Sequence, residues 1–385
     1  GGSAVSASNS SGTWTASYTI VAGTIETTGR NVSVTASGPN GTSTTAADTT
    51  GAVVDTVTAT VTGVTSSTAD GSYKAGSTIS IQVAFSQAVT VTGVPQLTLE
   101  TGTIDRTASY ASGSGTGTLT FTYTVQAGDT SADLDFTSAT ALALNGGSIV
   151  DGAGNAATLT LAAPGATGSL GANKAIVIDT TTPTLGTAAL TAATDSGSSS
   201  ADGITNAANP AFSLTVGEAG LTLELLRGTT VVATATSTAG TNTLTHTGAA
   251  EGTGLSYTVR ATDAAGNQTT SNAVTVTIDR TAPTISDVAN QTIEEDANTG
   301  ALSVTVGDGV TAAGTVQLTR GSGNAALVAD SAVVLGGSGA SRTVTVTPTG
   351  NQFGSAVITL TVTDEAGNTA TDSFTVTVNA VAETP

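Results

Sequence analysis

The stretch that organises this chain is Val276-Thr277-Ile278-Asp279-Arg280-Thr281-Ala282-Pro283-Thr284. Its first residues alternate between apolar side chains and threonine, which predicts a β-strand with one buried face. Asp279 follows that strand directly. We interpret the stretch as the last strand of one β-domain, an acidic joint, and the first residues of the next domain.

Two further copies of this stretch divide the chain. A near copy is Ile176-Val177-Ile178-Asp179-Thr180-Thr181-Thr182-Pro183-Thr184, and a degenerate one is Ala52-Val53-Val54-Asp55-Thr56-Val57-Thr58. A chain of 385 residues has room for three or four domains. The joint aspartates therefore predict four segments, which are 1–54, 55–180, 181–280 and 281–385.

The composition favours small β-sandwiches. Thr and Val are abundant, and both are β-branched residues that prefer strands. Sets such as Leu119, Phe121, Tyr123 and Val125 alternate with threonine, so one face of the strand is apolar and the other is polar. Aromatic residues make up only 3% of the chain, which suits thin cores. Many short strands separated by Gly, Asn and Asp turns predict an all-β chain of successive sandwiches.

The charge balance limits the possible partners. The formal net charge is −19, with nine Lys and Arg residues against 28 Asp and Glu residues. Nucleic acid is excluded as a partner because phosphate contacts need a basic face. We expect no membrane insertion, because no apolar run approaches the roughly 18 residues of a spanning helix. An acidic chain attracts cations, and there is no cysteine for disulfide bonds.

Segment 1–54 is expected to be only part of a domain. It predicts about three strands, over 14–21, 31–37 and 42–54, which match the final strands of the later segments. Trp14 is expected to pack in their core. Two explanations stay open. Either the chain begins inside a domain, or another chain supplies the missing strands and the protein assembles into fibres.

A five-residue pattern, Asp-x-Ala-Gly-Asn, recurs three times. The copies are Asp151–Asn155, Asp263–Asn267 and Asp364–Asn368. In the second and third copies it lies between an alternating strand and the final strand of the segment. Gly allows positive φ and Asn tolerates it, so the pattern predicts a tight hairpin.

These motifs resemble the immunoglobulin-like repeats of large bacterial surface adhesins. In 181–284 the resemblance rests on Thr194-Asp195-Ser196-Gly197, Ala201-Asp202-Gly203-Ile204-Thr205-Asn206 and the hairpin and joint above. Segment 55–183 is similar to another such repeat through Asp70-Gly71-Ser72-Tyr73-Lys74-Ala75-Gly76 and Pro95-Gln96-Leu97-Thr98-Leu99, and 283–385 is similar to a cadherin-like bacterial repeat. The resemblance implies tandem immunoglobulin-like β-sandwich domains in a linear array, secreted or on the bacterial cell surface.

In that topology the joints predict calcium sites. Ca²⁺ takes six to eight oxygen ligands, and each joint would collect acids from the domains on both sides. Asp279 would be joined by Asp195 or Asp202 from before it and by Asp364, with Asp308, from after it. Asp179 would be joined by Asp70 and Asp263, and Asp55 by Asp151. The competing interpretation is that these aspartates only form turns. Of the three joints, Asp279 has the most acids.

A further acidic run, Glu294-Glu295-Asp296, lies early in the last segment. If it follows the first strand, it faces the outgoing end of that domain. Glu294 and Asp296 would then be half of a cation site that a further domain completes. A solvated acidic turn is the alternative interpretation.

The residue types argue against an enzyme. The single histidine, His246, is expected to be an exposed residue of a strand rather than a catalytic base, and no Gly-x-Ser-x-Gly motif precedes a helix. We therefore expect a structural stalk of a surface protein, stiffened by Ca²⁺ at its joints. The alternatives are a subunit of a polymeric fibre or surface layer, and a domain whose loops bind a cell-surface or glycan receptor.

Overall fold

The computed structural model describes residues 5, 7–11, 13–17, 26–30, 35–44 and 52–382. They form two compact units, Gly1–Thr181 and Thr182–Pro385, which are considered separately. Among its described residues, the first unit contains one hydrophobic core, built from residues between 59 and 178. The second contains two, from residues between 188 and 278 and between 288 and 378. The chain is all-β, with tandem immunoglobulin-like sandwiches, as the sequence predicts.

The first unit begins with short strand pairs and continues as one large sandwich. The early strands are β1 (Ser8–Ser10), β2 (Thr13–Thr15), β3 (Glu26–Arg30), β4 (Thr35–Gly38), β5 (Gly41–Thr44) and β6 (Ala52–Asp55). The sandwich contains β7 (Val61–Ser66), β8 (Gly71–Tyr73), β9 (Thr78–Thr92), β10 (Gln96–Leu99), β11 (Arg106–Ser112), β12 (Thr116–Thr124), β13 (Thr130–Ser131), β14 (Leu142–Ala143), β15 (Ser148–Asp151), the short helix α1 (Leu170–Asn173) and β16 (Ile176–Asp179).

Strand β9 is the centre of this sandwich. It pairs with β7, β12 and β15 in a seven-stranded sheet, and β13, β16 and β8 form the opposing sheet. Alternate residues of β9 and β12 point into the core, where Ile81, Leu119 and Phe121 are fully buried. The period of two that the sequence predicted for Leu119 to Val125 is therefore the packing pattern of the strand.

One buried polar network anchors the loop after β12. Asp129, 1% exposed, accepts hydrogen bonds from Arg106 Nε at 2.8 Å and from the Tyr123 hydroxyl at 2.6 Å. The main-chain N–H of Gln126 donates to the same carboxylate at 2.9 Å. Burial raises the pKa of Asp129, but the Tyr123, Arg106 and Gln126 hydrogen bonds outweigh it and hold the pKa below its usual value.

The second unit contains two smaller sandwiches. Strands of the first are β17 (Ala189–Leu190), β18 (Ile204–Thr205), β19 (Ala211–Val216), β20 (Thr222–Arg227), β21 (Thr230–Thr236), β22 (Gly240–Thr245), β23 (Gly252–Thr262), β24 (Gln268–Thr270) and β25 (Val274–Ile278). Strands of the second are β26 (Thr284–Ile285), β27 (Gln291–Glu294), β28 (Leu302–Gly307), β29 (Gln317–Ser322), β30 (Val333–Ser338), β31 (Ser341–Val346), β32 (Gly354–Thr363) and β33 (Thr369–Asn379), with a 3₁₀ turn at Asp330–Ala332.

Each sandwich pairs a short early strand in parallel with its last strand. The pairs are β8 with β16, β18 with β25, and β27 with β33. The remaining strand pairs of all four sheets in the second unit are antiparallel, in the orders β17-β19-β22, β18-β25-β23-β20-β21, β26-β28-β31-β30 and β27-β33-β32-β29. Because the joint aspartates Asp179 and Asp279 lie at or directly after the end of a last strand, that strand determines where each of them lies.

Several local features differ from the sequence predictions. Strands β11 and β15 were missed, because Arg106–Ser112 and Ser148–Asp151 lack a long alternating apolar set. About half of each strand predicted over 14–21 and 31–37 lies outside the described residues, which here are 14–17 and 35–37, and the side chain of Trp14 lies outside them too. None of the described helices is long and apolar enough to span a membrane. The three predicted boundaries between the four segments stay a prediction.

The Asp129 network generates the first test. We expect Asp129→Ala to destabilise the first unit by about 3–5 kcal/mol, because it leaves Arg106 and Tyr123 without their buried acceptor. Lowering the pH should also destabilise the wild-type protein, because it protonates Asp129. The folded pKa lies below the unfolded one, so this stability is present above about pH 4 and is lost as the pH falls through the folded pKa.

Hydrogen exchange of the full chain, followed in peptides that cover 106–129, measures the loss. Asp105→Ala is the matched control, because Asp105 is an exposed neighbour in sequence. Equal protection in the two variants would contradict a stabilising role for the network.

Candidate metal centre

Strand β25 brings Asp279 to its position. The main-chain N–H of Asp279 donates to the Thr205 carbonyl at 2.8 Å, which continues the parallel pairing one residue past the strand. The side chain is 2% exposed. Its Oδ1 accepts the Thr281 N–H at 3.0 Å, whereas its buried Oδ2 has no hydrogen-bond partner.

Asp308 follows the end of β28 and shapes the next loop. Its Oδ1 accepts main-chain hydrogen bonds from Val310 at 2.8 Å and from Thr311 at 2.6 Å, as aspartate does in turns. Its Oδ2 is buried and has no hydrogen-bond partner. One oxygen of this carboxylate therefore forms the turn, and the other is available for a ligand.

Asp364 follows the end of β32 and opens the predicted hairpin. Its Oδ1 accepts the Asn368 N–H at 2.8 Å, and its Oδ2 accepts the Asn368 side-chain amide at 2.8 Å. The residue is 2% exposed. The Thr311 hydroxyl, which accepts the Glu365 N–H at 3.2 Å, ties this hairpin to the Asp308 loop.

These three aspartates converge. Each offers one carboxylate oxygen, and the three oxygens lie within 4.8 Å of one another. Burial raises the pKa of Asp279, and the negative charges of Asp308, Asp364 and Glu251 raise it further. No ion pair between described residues includes any of the three, and the nearest basic residue in sequence, Arg280, faces Glu251 at 3.6 Å.

The donor set fits a hard divalent cation. All three ligands are carboxylates, and two of them have a buried oxygen without a hydrogen-bond partner. Leaving such oxygens buried costs free energy, which a cation removes. Ca²⁺ is bound by carboxylates together with carbonyl oxygens and water, so three aspartates are a suitable protein share of its ligands.

Asp195 and Asp202, expected beside Asp279, are not in this group. Asp195 is buried with an Oδ1 that has no partner, and its Oδ2 accepts the Gly203 N–H at 3.2 Å. Burial raises its pKa, and the charge of Asp202 adds to the effect. Because Ile204 pairs with Thr277, Asp202 lies beside the start of β25, roughly 13 Å along the strand from Asp279.

Asp70 is likewise displaced from its expected joint. Gly71 pairs with Ile176, so Asp70 lies beside the start of β16, roughly 13 Å along the strand from Asp179. It forms an ion pair with Lys174 at 2.8 Å, and this contact lowers its pKa. From the sequence we expected the loop after the first strand to lie at the outgoing end of the domain. This loop instead leads into β8, which pairs in parallel with the last strand.

The remaining candidates have separate local partners. Asp151 and Asp263 each bind the asparagine of their own hairpin. Asp179 Oδ1 accepts the Thr181 N–H at 2.9 Å, and the calcium set expected around it stays a prediction. Glu294 Oε1 lies 3.4 Å from the Asn379 amide, and Asp296 Oδ1 accepts the Asn351 N–H at 3.0 Å. Within the described residues, Asp279, Asp308 and Asp364 form the one group of three.

The structure corrects the environment expected for His246. It is half-buried, and its Nδ1 lies 2.9 Å from the Tyr257 hydroxyl. Burial lowers its pKa, with a smaller contribution from Arg227. His246 therefore packs against Tyr257 and hydrogen-bonds to its hydroxyl group.

Sequence reasoning missed the asparagines of the hairpins. Asn368 donates its side-chain amide to the Asp279 carbonyl at 3.0 Å, and Asn155 does the same to Asp55 at 3.1 Å. The signal was present, since Asn is as constant as Asp in the three copies of the pattern.

The raised pKa of Asp279 generates the second test. A carboxyl whose folded pKa lies above the unfolded value holds its proton better when folded, so stability in a chelator falls as the pH rises above about 4. Asp279→Asn removes that charge and leaves an amide oxygen for the Thr281 N–H. We expect the variant to be more stable than wild type in chelator at pH 7, by about 1 kcal/mol or more.

Calorimetric unfolding of the full chain measures this difference. Asp202→Asn is the matched control, because Asp202 is exposed and lies outside the cluster. A variant that is less stable than wild type in chelator would show that the three charges do not repel.

Comparison with known proteins identifies the first sandwich of the second unit. Residues 181–280 match the family model of the bacterial Ig-like domain. No curated protein matches the chain. Among solved structures, a 1.5-MDa bacterial ice-binding adhesin is 17% identical over 81% of this chain and 95% of its own, with a TM-score of 0.28.

Two other solved structures cover a similar share of this chain. The surface-layer protein SbsC, domains 1–6, is 15% identical over 85% of this chain and 55% of its own, with a TM-score of 0.22. Drosophila OTK, extracellular domains 3–5, is 11% identical over 83% and 97%, with a TM-score of 0.30. Residues 181–280 are a bacterial immunoglobulin-like domain within a chain of tandem immunoglobulin-like sandwiches.

Proposed function

We propose that this chain is an extracellular, nonenzymatic repeat region of a bacterial surface protein, stiffened by Ca²⁺ between successive sandwiches. The bacterial immunoglobulin-like domain at 181–280 supports the surface role. The tandem sandwiches support a structural role, because such modules extend a chain without needing a catalytic cleft. The cation is the specific part of the proposal, and it depends on the aspartate cluster.

The observation that carries the proposal is the pair of buried carboxylate oxygens, on Asp279 and Asp308, that have no hydrogen-bond partner. A turn-forming role explains Oδ1 of each residue, since Thr281, Val310 and Thr311 donate to those atoms. It does not explain Oδ2. Ca²⁺ bound to these oxygens would both neutralise the repulsion and supply the missing contact.

The position of the cluster explains how a cation would stiffen the chain. Asp279 continues the last strand of one sandwich, whereas Asp308 and Asp364 follow strands of the next. A cation held by all three would cross-link the two sandwiches and oppose bending at the joint. Binding only to the folded arrangement would also stabilise it, by about 2.7 kcal/mol at one hundred times the dissociation constant.

Small-angle X-ray scattering of the full chain tests the stiffening. We expect the maximum dimension and the profile to change when Ca²⁺ is exchanged for a chelator, because the joint at Asp279 becomes freer to bend. Asp308→Asn keeps an acceptor for Val310 and Thr311 but loses the charge, so it should show a smaller response to Ca²⁺.

Asp202→Asn serves as the matched control and should respond like wild type. A wild-type profile that is identical in Ca²⁺ and in chelator would rule out stiffening by the cation at this joint.

A further inference from the structure

The Asp-x-Ala-Gly-Asn hairpin has the same internal bonds wherever it occurs. In each copy the asparagine N–H donates to Oδ1 of the aspartate at 2.8 Å. The asparagine side-chain amide donates to Oδ2 at 2.8–2.9 Å. The aspartate therefore holds the amide group in one orientation. An amide nitrogen has two hydrogens, so one remains to donate elsewhere.

In two copies that second hydrogen reaches the joint residue that precedes the sandwich. Asn368 Nδ2 donates to the Asp279 carbonyl at 3.0 Å, and Asn155 Nδ2 donates to the Asp55 carbonyl at 3.1 Å. The acceptor is the main-chain oxygen in both cases. These two contacts therefore involve neither the joint carboxylate nor a cation.

A second contact holds the hairpin of the last sandwich from the other side. The Ser196 hydroxyl donates to the Ala366 carbonyl at 2.8 Å, and the Ser198 N–H donates to the Glu365 carbonyl at 3.3 Å. Between them Gly197 has φ of 99°, and a Cβ placed there would lie 1.9 Å from the Glu365 oxygen. The two backbones can approach this closely only because residue 197 is glycine.

We propose that the Asp-x-Ala-Gly-Asn hairpin is a docking element for the preceding immunoglobulin-like domain, and that its asparagine sets the register of the two domains without a metal. The partner it recognises is the main-chain carbonyl of the residue after a last strand, here Asp279. Asn368 is a positioning residue in this scheme. It holds the Asp279 main chain beside the hairpin that carries Asp364, so the carboxylates meet as a consequence.

Distance measurements between the two domains in chelator test the docking. The chain has no cysteine, so Thr234→Cys and Ser373→Cys provide two spin-label sites on exposed strand positions, one in each sandwich. Pulsed electron paramagnetic resonance on the full chain should give a single distance peak in chelator, centred where it lies in Ca²⁺ but wider, because the asparagine contact keeps the register while the cation limits bending. Asn368→Ala should lose that single peak, whereas Asn298→Ala, the same change in an exposed loop of the same sandwich, should keep it.

Gly197→Ala provides a second variant from the opposite domain, in case Asn368→Ala disturbs folding of the hairpin. It should also lose the single peak, because its methyl group would collide with the Glu365 carbonyl. An unchanged peak in either correctly folded variant would overturn the proposal. A wild-type distribution in chelator without a peak at the Ca²⁺ distance would overturn it too, since docking would then need the cation. The effect of Ca²⁺ on scattering tests the stiffening separately, so the two proposals can fail independently.

Discussion

The joint in the second unit depends on the convergence of three carboxylates, of which Asp279 and Asp364 are buried and Asp308 is half-buried. Asp279, Asp308 and Asp364 each continue the end of a different strand, Asp279 in one sandwich and the other two in the next, and their carboxylates meet where the two sandwiches join. Two of the carboxylates have a buried oxygen without a hydrogen-bond partner. An isolated arrangement of this kind is unfavourable, and a divalent cation reverses the sign of the interaction. Under this proposal, the same residues would oppose docking without a cation and would favour it with one bound.

The hairpin asparagine would provide the opposing force. Its bond to the Asp279 carbonyl joins two neutral amide groups, so salt does not screen it as it screens a pair of charges. Together with the contact of Gly197 against the 364–368 hairpin, it can hold the sandwiches in register while the carboxylates repel. The joint would then combine a permanent backbone contact, which sets the geometry, with a cation, which sets the stiffness.

The sequence predicted the structure best in the strands where apolar and polar residues alternate regularly. Alternating apolar sets predicted the core strands, and the repeated joint placed Asp279 correctly after β25. It was less informative about loops. Asp202 and Asp70 precede short parallel strands and therefore lie at the beginning of the last strand, a topology that alternation alone does not reveal. The position of Asp308 was harder to predict. Its loop contacts the 364–368 hairpin, which is more than fifty residues away in sequence, and no local pattern indicates that contact. The role of Asn368 was missed because a turn-forming asparagine and a docking asparagine look alike in sequence.

The presence of a cation at the cluster is most directly tested by anomalous X-ray scattering from crystals of the full chain grown with Ca²⁺. We expect an anomalous peak among Asp279, Asp308 and Asp364, with carboxylate oxygens at about 2.3–2.6 Å from it. A map at saturating Ca²⁺ without a peak there, with the three carboxylates bridged by water, would contradict it.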